Sequence, residues 1–256
     1  MQYGAQLYTL RDFTKDAQGF RSALERVAKM GYQSVQVSAV EAFLKDVSPG
    51  ELRSWLDELG LVCCATHRPF DRLKNNLDEE IEIHQTIGCP VIGIGMAPKE
   101  FYEGDAEDWR EWTGIFNEVA ASLHEVGLSF AFHNHAVEFE RKCGTRSIDV
   151  LIEESHPSMQ FIVDTYWVAH AGADVNQFID RVSGRVNVAH LKDKEVKGWD
   201  TRECPIGDGN LDWPSILDSL TKAGCQHAVV EQDHCYGEDP FSCMEKSIRY
   251  LKSLPG

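Results

Sequence analysis

Four consecutive apolar runs in the second half of the chain each end on a residue that can hold a metal ion or move a proton. Ser129 to Phe132 runs into His133-Asn134-His135, Phe161 to Val163 into Asp164, Val188-Ala189 into His190, and Val229-Val230 into Glu231. An aspartate, a glutamate and one or two imidazoles make a mixed nitrogen and oxygen donor set. That set suits zinc, manganese, cobalt or iron, and its carboxylate share favours manganese. A cation bound this way keeps positions open for substrate oxygens and polarises a carbonyl as a Lewis acid. A proton on the neighbouring carbon then becomes removable by a carboxylate or imidazole. Returning the proton elsewhere isomerises or epimerises the substrate, and losing a β-substituent is an elimination.

The expected ligands are His133, Asp164, His190 and Glu231, with the fifth-strand ligand open between His133 and His135. Glu231 is the first candidate to handle the proton as well. Glu138, five residues beyond His133, is a second carboxylate for that role or else a solvated loop charge beside Glu140 and Arg141. Lys192 lies two residues beyond His190, so strand alternation turns it inward, where it would hold a substrate hydroxyl or stabilise an oxyanion, with Asp193 orienting it or its neighbours. His67, His135, Trp167 and His170 complete the expected substrate wall.

Side chains from separate strands converge only if those strands stand side by side, about 4.8 Å apart. The chain supplies such strands by repetition: helix, glycine, two or three residues, short apolar strand. Phe20, Leu24, Val27 and Ala28 mark one helical face before Gly31, and Ser48-Pro49-Gly50-Glu51 opens another helix that stops at Gly60. Gly88, Gly127, Gly184 and Gly224 punctuate later units. The strands read as Tyr3 to Leu7, Ser34 to Ser38, Leu61 to Thr66, Val91 to Met96, Leu128 to His133, Gln160 to Asp164, Val186 to His190 and Ala228 to Glu231. Eight strands alternating with helices predict a parallel sheet closed into one (β/α)₈ TIM barrel spanning residues 1–256. A dinucleotide-binding open sheet is disfavoured, because no G-x-G-x-x-G follows the first strand. Two long loops, Pro69 to Leu77 and Lys194 to Leu211, follow strand C-termini and are expected to cover substrate. Trp199 and Trp213 would either shield a sugar ring or pack on the barrel rim.

His133-Asn134-His135 with Glu138-Phe139, Asp164-Thr165-Tyr166-Trp167, His190-Leu191-Lys192-Asp193, Gly207-Asp208-Gly209-Asn210-Leu211-Asp212-Trp213 and Glu231-Gln232-Asp233 resemble the sugar phosphate isomerase/epimerase family. That family has the xylose isomerase-like barrel and includes inosose isomerases and dehydratases. The resemblance covers nearly the whole chain. It implies a divalent ion held by Asp164, His190 and Glu231, with a fourth ligand from the fifth strand. There the family pattern is glutamate-asparagine-histidine, and His133 stands where that glutamate would be, which weakens a two-carboxylate epimerase mechanism. The leading expectation is a metal-dependent isomerase or epimerase of a sugar, keto-sugar or inosose. The runner-up is a metal-dependent lyase, either an inosose dehydratase or an enzyme eliminating 3-keto-glycosides. An endonuclease-IV-like nuclease and a non-catalytic binding barrel are remoter readings.

Composition narrows the partners. The 256 residues carry 25 basic and 41 acidic side chains, a net charge of -16 that repels nucleic acid. No apolar run has the length of a membrane span, and Met1 to Leu10 has neither a basic region nor an apolar export segment. A cytoplasmic enzyme with a small sugar or polyol substrate is expected, and a homo-oligomer is compatible with that. The eight cysteines lack paired C-x-x-C spacing and read as reduced thiols.

Overall fold

A computed structural model describes residues 1–255. Eight parallel strands close in the order β1 (Gln2–Gln6), β10 (His227–Val230), β7 (Val188–Leu191), β6 (Gln160–Asp164), β5 (Ser129–His133), β4 (Val91–Ile94), β3 (Val62–His67) and β2 (Ser34–Val37). The remaining two, β8 (Asp193–Lys197) and β9 (Asp200–Cys204), form an antiparallel hairpin between β7 and β10. The closed parallel barrel agrees with the sequence reading. All six punctuating glycines adopt positive φ, between 67° at Gly60 and 88° at Gly31, a region that disfavours any residue with a Cβ.

Period-two alternation links the core to the site. Ala65, Ala131, Ile162, Val188 and Val229 belong to a small buried apolar cluster inside the barrel. Two residues further along the same strand faces stand His67, His133, Asp164, His190 and Glu231. The apolar layer therefore forms the floor beneath the polar one, at the C-terminal end where barrels of this architecture carry their sites. Gly93 is needed for this packing: a Cβ there would lie 2.8 Å from Ile162 Cδ1 and 2.9 Å from the Thr66 carbonyl oxygen.

Three expectations need correction. Residues 70–75 of the first long loop are a short helix, Phe70–Asn75, whose Phe70 and Leu73 are buried. Arg68 and Arg72 bind the buried Glu80 carboxylate at 2.7–2.8 Å, so this segment is anchored. The second loop contains the β8–β9 hairpin, which strand-poor composition concealed. Trp199 is fully exposed at its turn, whereas Trp213 is 1% exposed and packs in the core, so neither lies on the substrate cavity. All eight cysteines are free, as the spacing suggested. Among the described residues no helix is long and apolar enough to cross a membrane.

Candidate metal centre and substrate cavity

His133, Asp164, His190 and Glu231 are buried and place one potential ligand atom each within 4.8 Å of one another. Register explains part of this, since Asp164 pairs directly with His190 across β6 and β7. The peptide N–H of Glu231 donates to the Leu191 carbonyl at 3.0 Å, carrying the β10 tip beside β7.

Each ligand is oriented by a second contact. Asp164 caps the helix Thr165–His170: its Oδ1 accepts from Trp167 N at 3.0 Å, leaving Oδ2 for the site. Oδ2 lies 3.3 Å from His133 Nε2 and 3.8 Å from His190 Nδ1. His190 Nε2 stands 2.8 Å from Gln36 Oε1 and 3.4 Å from Gln6 Nε2; the shorter contact favours Nε2 as the donor and leaves Nδ1 as a ligand. His133 Nδ1 faces the Gly95 carbonyl at 3.3 Å, likewise freeing Nε2. His190 Nδ1 and Glu231 Oε2 approach to 3.0 Å without hydrogen-bond alignment; the buried Nδ1 has no hydrogen-bonding partner, and Oε2 is met by the Lys192 ammonium alone. An unpartnered imidazole nitrogen converging with two carboxylates and a second imidazole fits a divalent cation bound by mixed nitrogen and oxygen ligands. Burial opposes protonation of His190, but Glu231 and Asp164 more than offset it and push its pKa up to about 9. A cation among the four would displace that proton.

Lys192 intrudes on the quartet from the side. Its Nζ is 3.1 Å from Asp164 Oδ2, 3.0 Å from Glu231 Oε2 and 2.9 Å from Asp233 Oδ2, with only 1% of the residue exposed. Burial disfavours its charge, and the carboxylates of Asp164, Glu231 and Asp233 overcome this, so the ammonium persists well beyond the usual lysine range. Burial likewise raises the Glu231 pKa, but Lys192 and His190 together hold the carboxyl well below the usual range.

Above this cluster opens a cavity of about 230 Å³, walled by Tyr8, Ser38, His67, His135, Lys192 and Glu231. His67 is held by Ser38 Oγ, 3.3 Å from Nδ1, and its ring centre lies 5.2 Å from that of His133 and 5.4 Å from that of His190. Burial and these neighbouring imidazoles keep it neutral. His135 is lowered to about 3, first by burial and then by His133. Two neutral imidazoles on a cavity wall can donate to or accept from hydroxyls. Trp167 stands behind them, 5.6 Å from the His135 ring.

Four expected residues do not reach the cavity, Trp167 among them, since it packs against His135 instead. His170 is exposed and stacks on Tyr166 at 5.4 Å. Asp193 does not orient Lys192: its buried carboxylate turns to the loop 207–213. Glu138 is neither solvated nor in reach of substrate. It is fully buried, with Oε2 accepting from His135 N at 2.7 Å and Oε1 3.9 Å from His135 Nδ1. Conversely, Gln36, Tyr8, Ser38 and Asp233 were not singled out. A buried glutamine in an otherwise apolar strand and the i+2 spacing of Asp233 from Glu231 were the available signals.

Burial pushes the Glu138 carboxyl up to about 7 from its ordinary 4.5. The native state then keeps a proton that the unfolded chain releases, so stability falls as pH rises from about 4.5 to about 7 and is level above. At roughly 1.4 kcal/mol per pKa unit this loss is about 3 kcal/mol. Glu138→Gln should flatten that fall by this amount, measured as the difference between urea unfolding free energies at the two ends of the window. Identical pH dependence in both proteins would refute the assignment.

A closed eight-stranded barrel thus carries a buried quartet of potential metal ligands at its C-terminal rim. The chain belongs to the xylose isomerase-like TIM barrel family, whose sequence profile matches residues 24–254. It is 25% identical to an inosose dehydratase from Erwinia tasmaniensis over 93% of this chain and 90% of that protein. A sugar phosphate isomerase/epimerase from Parabacteroides distasonis superposes with a TM-score of 0.82 at 20% identity, covering 99% of this chain and 94% of the other. A zinc-bound IolI protein superposes at 0.69 and 14% identity, covering 98% of each.

Proposed function

We propose that this protein is a divalent-metal-dependent lyase that removes water from a polyhydroxy ketone of the inosose type. One asymmetry carries the reading: Glu231 is the one carboxylate of the quartet on the cavity wall, with Lys192 Nζ 3.0 Å away. The other wall carboxylate, Asp233, is engaged with Lys192. Strand β5 brings His133 where a second carboxylate would serve epimerisation, which needs opposed bases on two faces of one carbon. Dehydration needs one base and one acid. The extended similarity to an inosose dehydratase supports the same choice.

A bound divalent ion, with manganese the favoured metal, would supply Lewis-acid polarisation of the ketone. Glu231 takes the proton from the adjacent carbon. The Lys192 ammonium, kept charged by its carboxylates, donates to the departing hydroxyl. His67 and His135 hold other hydroxyls, and Tyr8 and Ser38 close the cavity around the ring. Isomerisation, placed first by the sequence, uses the same single base without the acid and differs only in product.

Purified protein analysed for metals and then incubated in deuterated water with 2-keto-myo-inositol and a keto-sugar panel separates these outcomes. Chelator-sensitive loss of water from one substrate is expected, and Glu231→Gln should lower it by about 10²–10⁴-fold. Deuterium exchange without water loss would replace the lyase by an isomerase, and turnover indifferent to chelator would remove both.

A further inference from the structure

Behind the cavity wall two buried polar atoms face each other, and neither has a hydrogen-bonding partner. They are His135 Nδ1 and Glu138 Oε1, 3.9 Å apart. The short helical turn Val137–Phe139 carries Glu138 back behind His135, and its other oxygen is already anchored there, since Oε2 accepts from His135 N at 2.7 Å. Unpaired polar atoms in an interior are costly, and a side-chain adjustment of about 1 Å closes this gap to a hydrogen bond. With Nδ1 turned to Glu138, Nε2 is the ring nitrogen that the cavity reaches.

The protonation states of the pair decide the sense of that bond. Burial and then His133 hold His135 down to about 3, so its ring is neutral near pH 7, with one N–H and one lone pair. What one nitrogen bonds to fixes the role of the other. Burial lifts the Glu138 carboxyl to about 7 against the opposing backbone N–H groups and the Tyr102 phenol. Tyr102 is the other titratable group against this carboxyl, and burial followed by Glu138 keeps its proton in place well above neutral pH. A protonated Glu138 donates from Oε1 to Nδ1, which leaves the imidazole proton on Nε2. When the carboxyl ionises, its proton passes to Nδ1 and the Nε2 proton leaves for solvent.

We propose that Glu138 is a positioning residue that sets the tautomer of His135, presenting an Nε2–H donor to the substrate while the carboxyl is protonated and an Nε2 acceptor once it is ionised. Glu231 and Asp233 on the same wall only accept, and Lys192 is shared among three carboxylates, so a donating imidazole meets the lone pairs of a substrate oxygen. The substrate half of this inference rests on the lyase reading above, and the tautomer half does not.

Long-range proton–nitrogen correlation spectra of protein labelled at its histidine nitrogens and saturated with zinc read the tautomer directly, with His135→Gln assigning the resonances. Between about pH 5 and about pH 9, the wild-type proton should move from Nε2 to Nδ1. In Glu138→Gln the amide accepts from His135 N and donates to Nδ1 at every pH, so the proton should stay on Nε2. For whichever ketone turns over, wild-type KM should rise about tenfold across the same range, as for the loss of one hydrogen bond, and Glu138→Gln should remove that rise. A His135 ring fixed in one tautomer, or one that still switches in Glu138→Gln, would overturn the proposal. A KM indifferent to an observed switch would overturn its substrate half. The wild-type spectra decide the tautomer even if Glu138→Gln folds poorly. They are recorded without substrate, so absence of ketone turnover would sink the lyase reading and leave the tautomer assignment standing.

Discussion

Replacing Asp164 by asparagine is expected to lower turnover by on the order of 10³–10⁴-fold, several kcal/mol of transition-state stabilisation, and to reduce the metal content of purified protein. The substitution isolates charge. The amide oxygen can still accept from Trp167 N and cap the helix Thr165–His170, so the fold is kept. What changes is Oδ2, which stands 3.3 Å from His133 Nε2 and 3.1 Å from Lys192 Nζ at the centre of the quartet. Steady-state rates and elemental analysis on the same preparations check it. A variant within tenfold of the wild type, or one retaining full metal occupancy, would show that the quartet is not the working site.

Lys192→Met should be the most destabilising single change at the rim. It leaves Asp164, Glu231 and Asp233 without their shared ammonium in a place where two of them are at most 5% exposed. Breaking a buried charge cluster from one side costs about 3–5 kcal/mol, equivalent to a melting temperature lower by roughly 10 °C in a chain of this size. The sign with pH follows. Without the lysine, burial is left to raise the Asp164 and Glu231 carboxyls that Lys192 holds down, so the deficit is small in acid and grows as pH rises through about 4 to 6. Thermal melts across that range test it, and a deficit constant with pH would mean that lost packing, rather than charge, is responsible. Added divalent ion should recover part of the loss by binding the native quartet.

Much of the site was legible because a strand's chemistry ends where its apolar run ends. His133, Asp164, His190 and Glu231 each sit two positions beyond a residue of the barrel's inner apolar layer, and alternation alone turns them inward. Glu138 and Asp193 show where that logic stops. Both follow the right strands at suggestive spacing, yet one is buried behind His135 and the other faces the loop 207–213. Beyond the last ladder residue the backbone no longer alternates, and direction depends on which N–H groups lack partners. His170 lies outside the cavity for the same reason, carried away by the helical turn that Asp164 caps.

The residues themselves determined the barrel, since repeated helix-glycine-strand units with apolar strands admit few other closures, and they determined the four donor types at its rim. Only the folded chain decided which imidazole of His133 and His135 joins the quartet, that Gln36 on β2, three strands around the barrel from β7, meets His190 Nε2, and that Lys192 is enclosed by carboxylates. Those facts depend on contacts between positions up to 154 residues apart, fixed by strand order and side-chain packing, which local sequence does not encode.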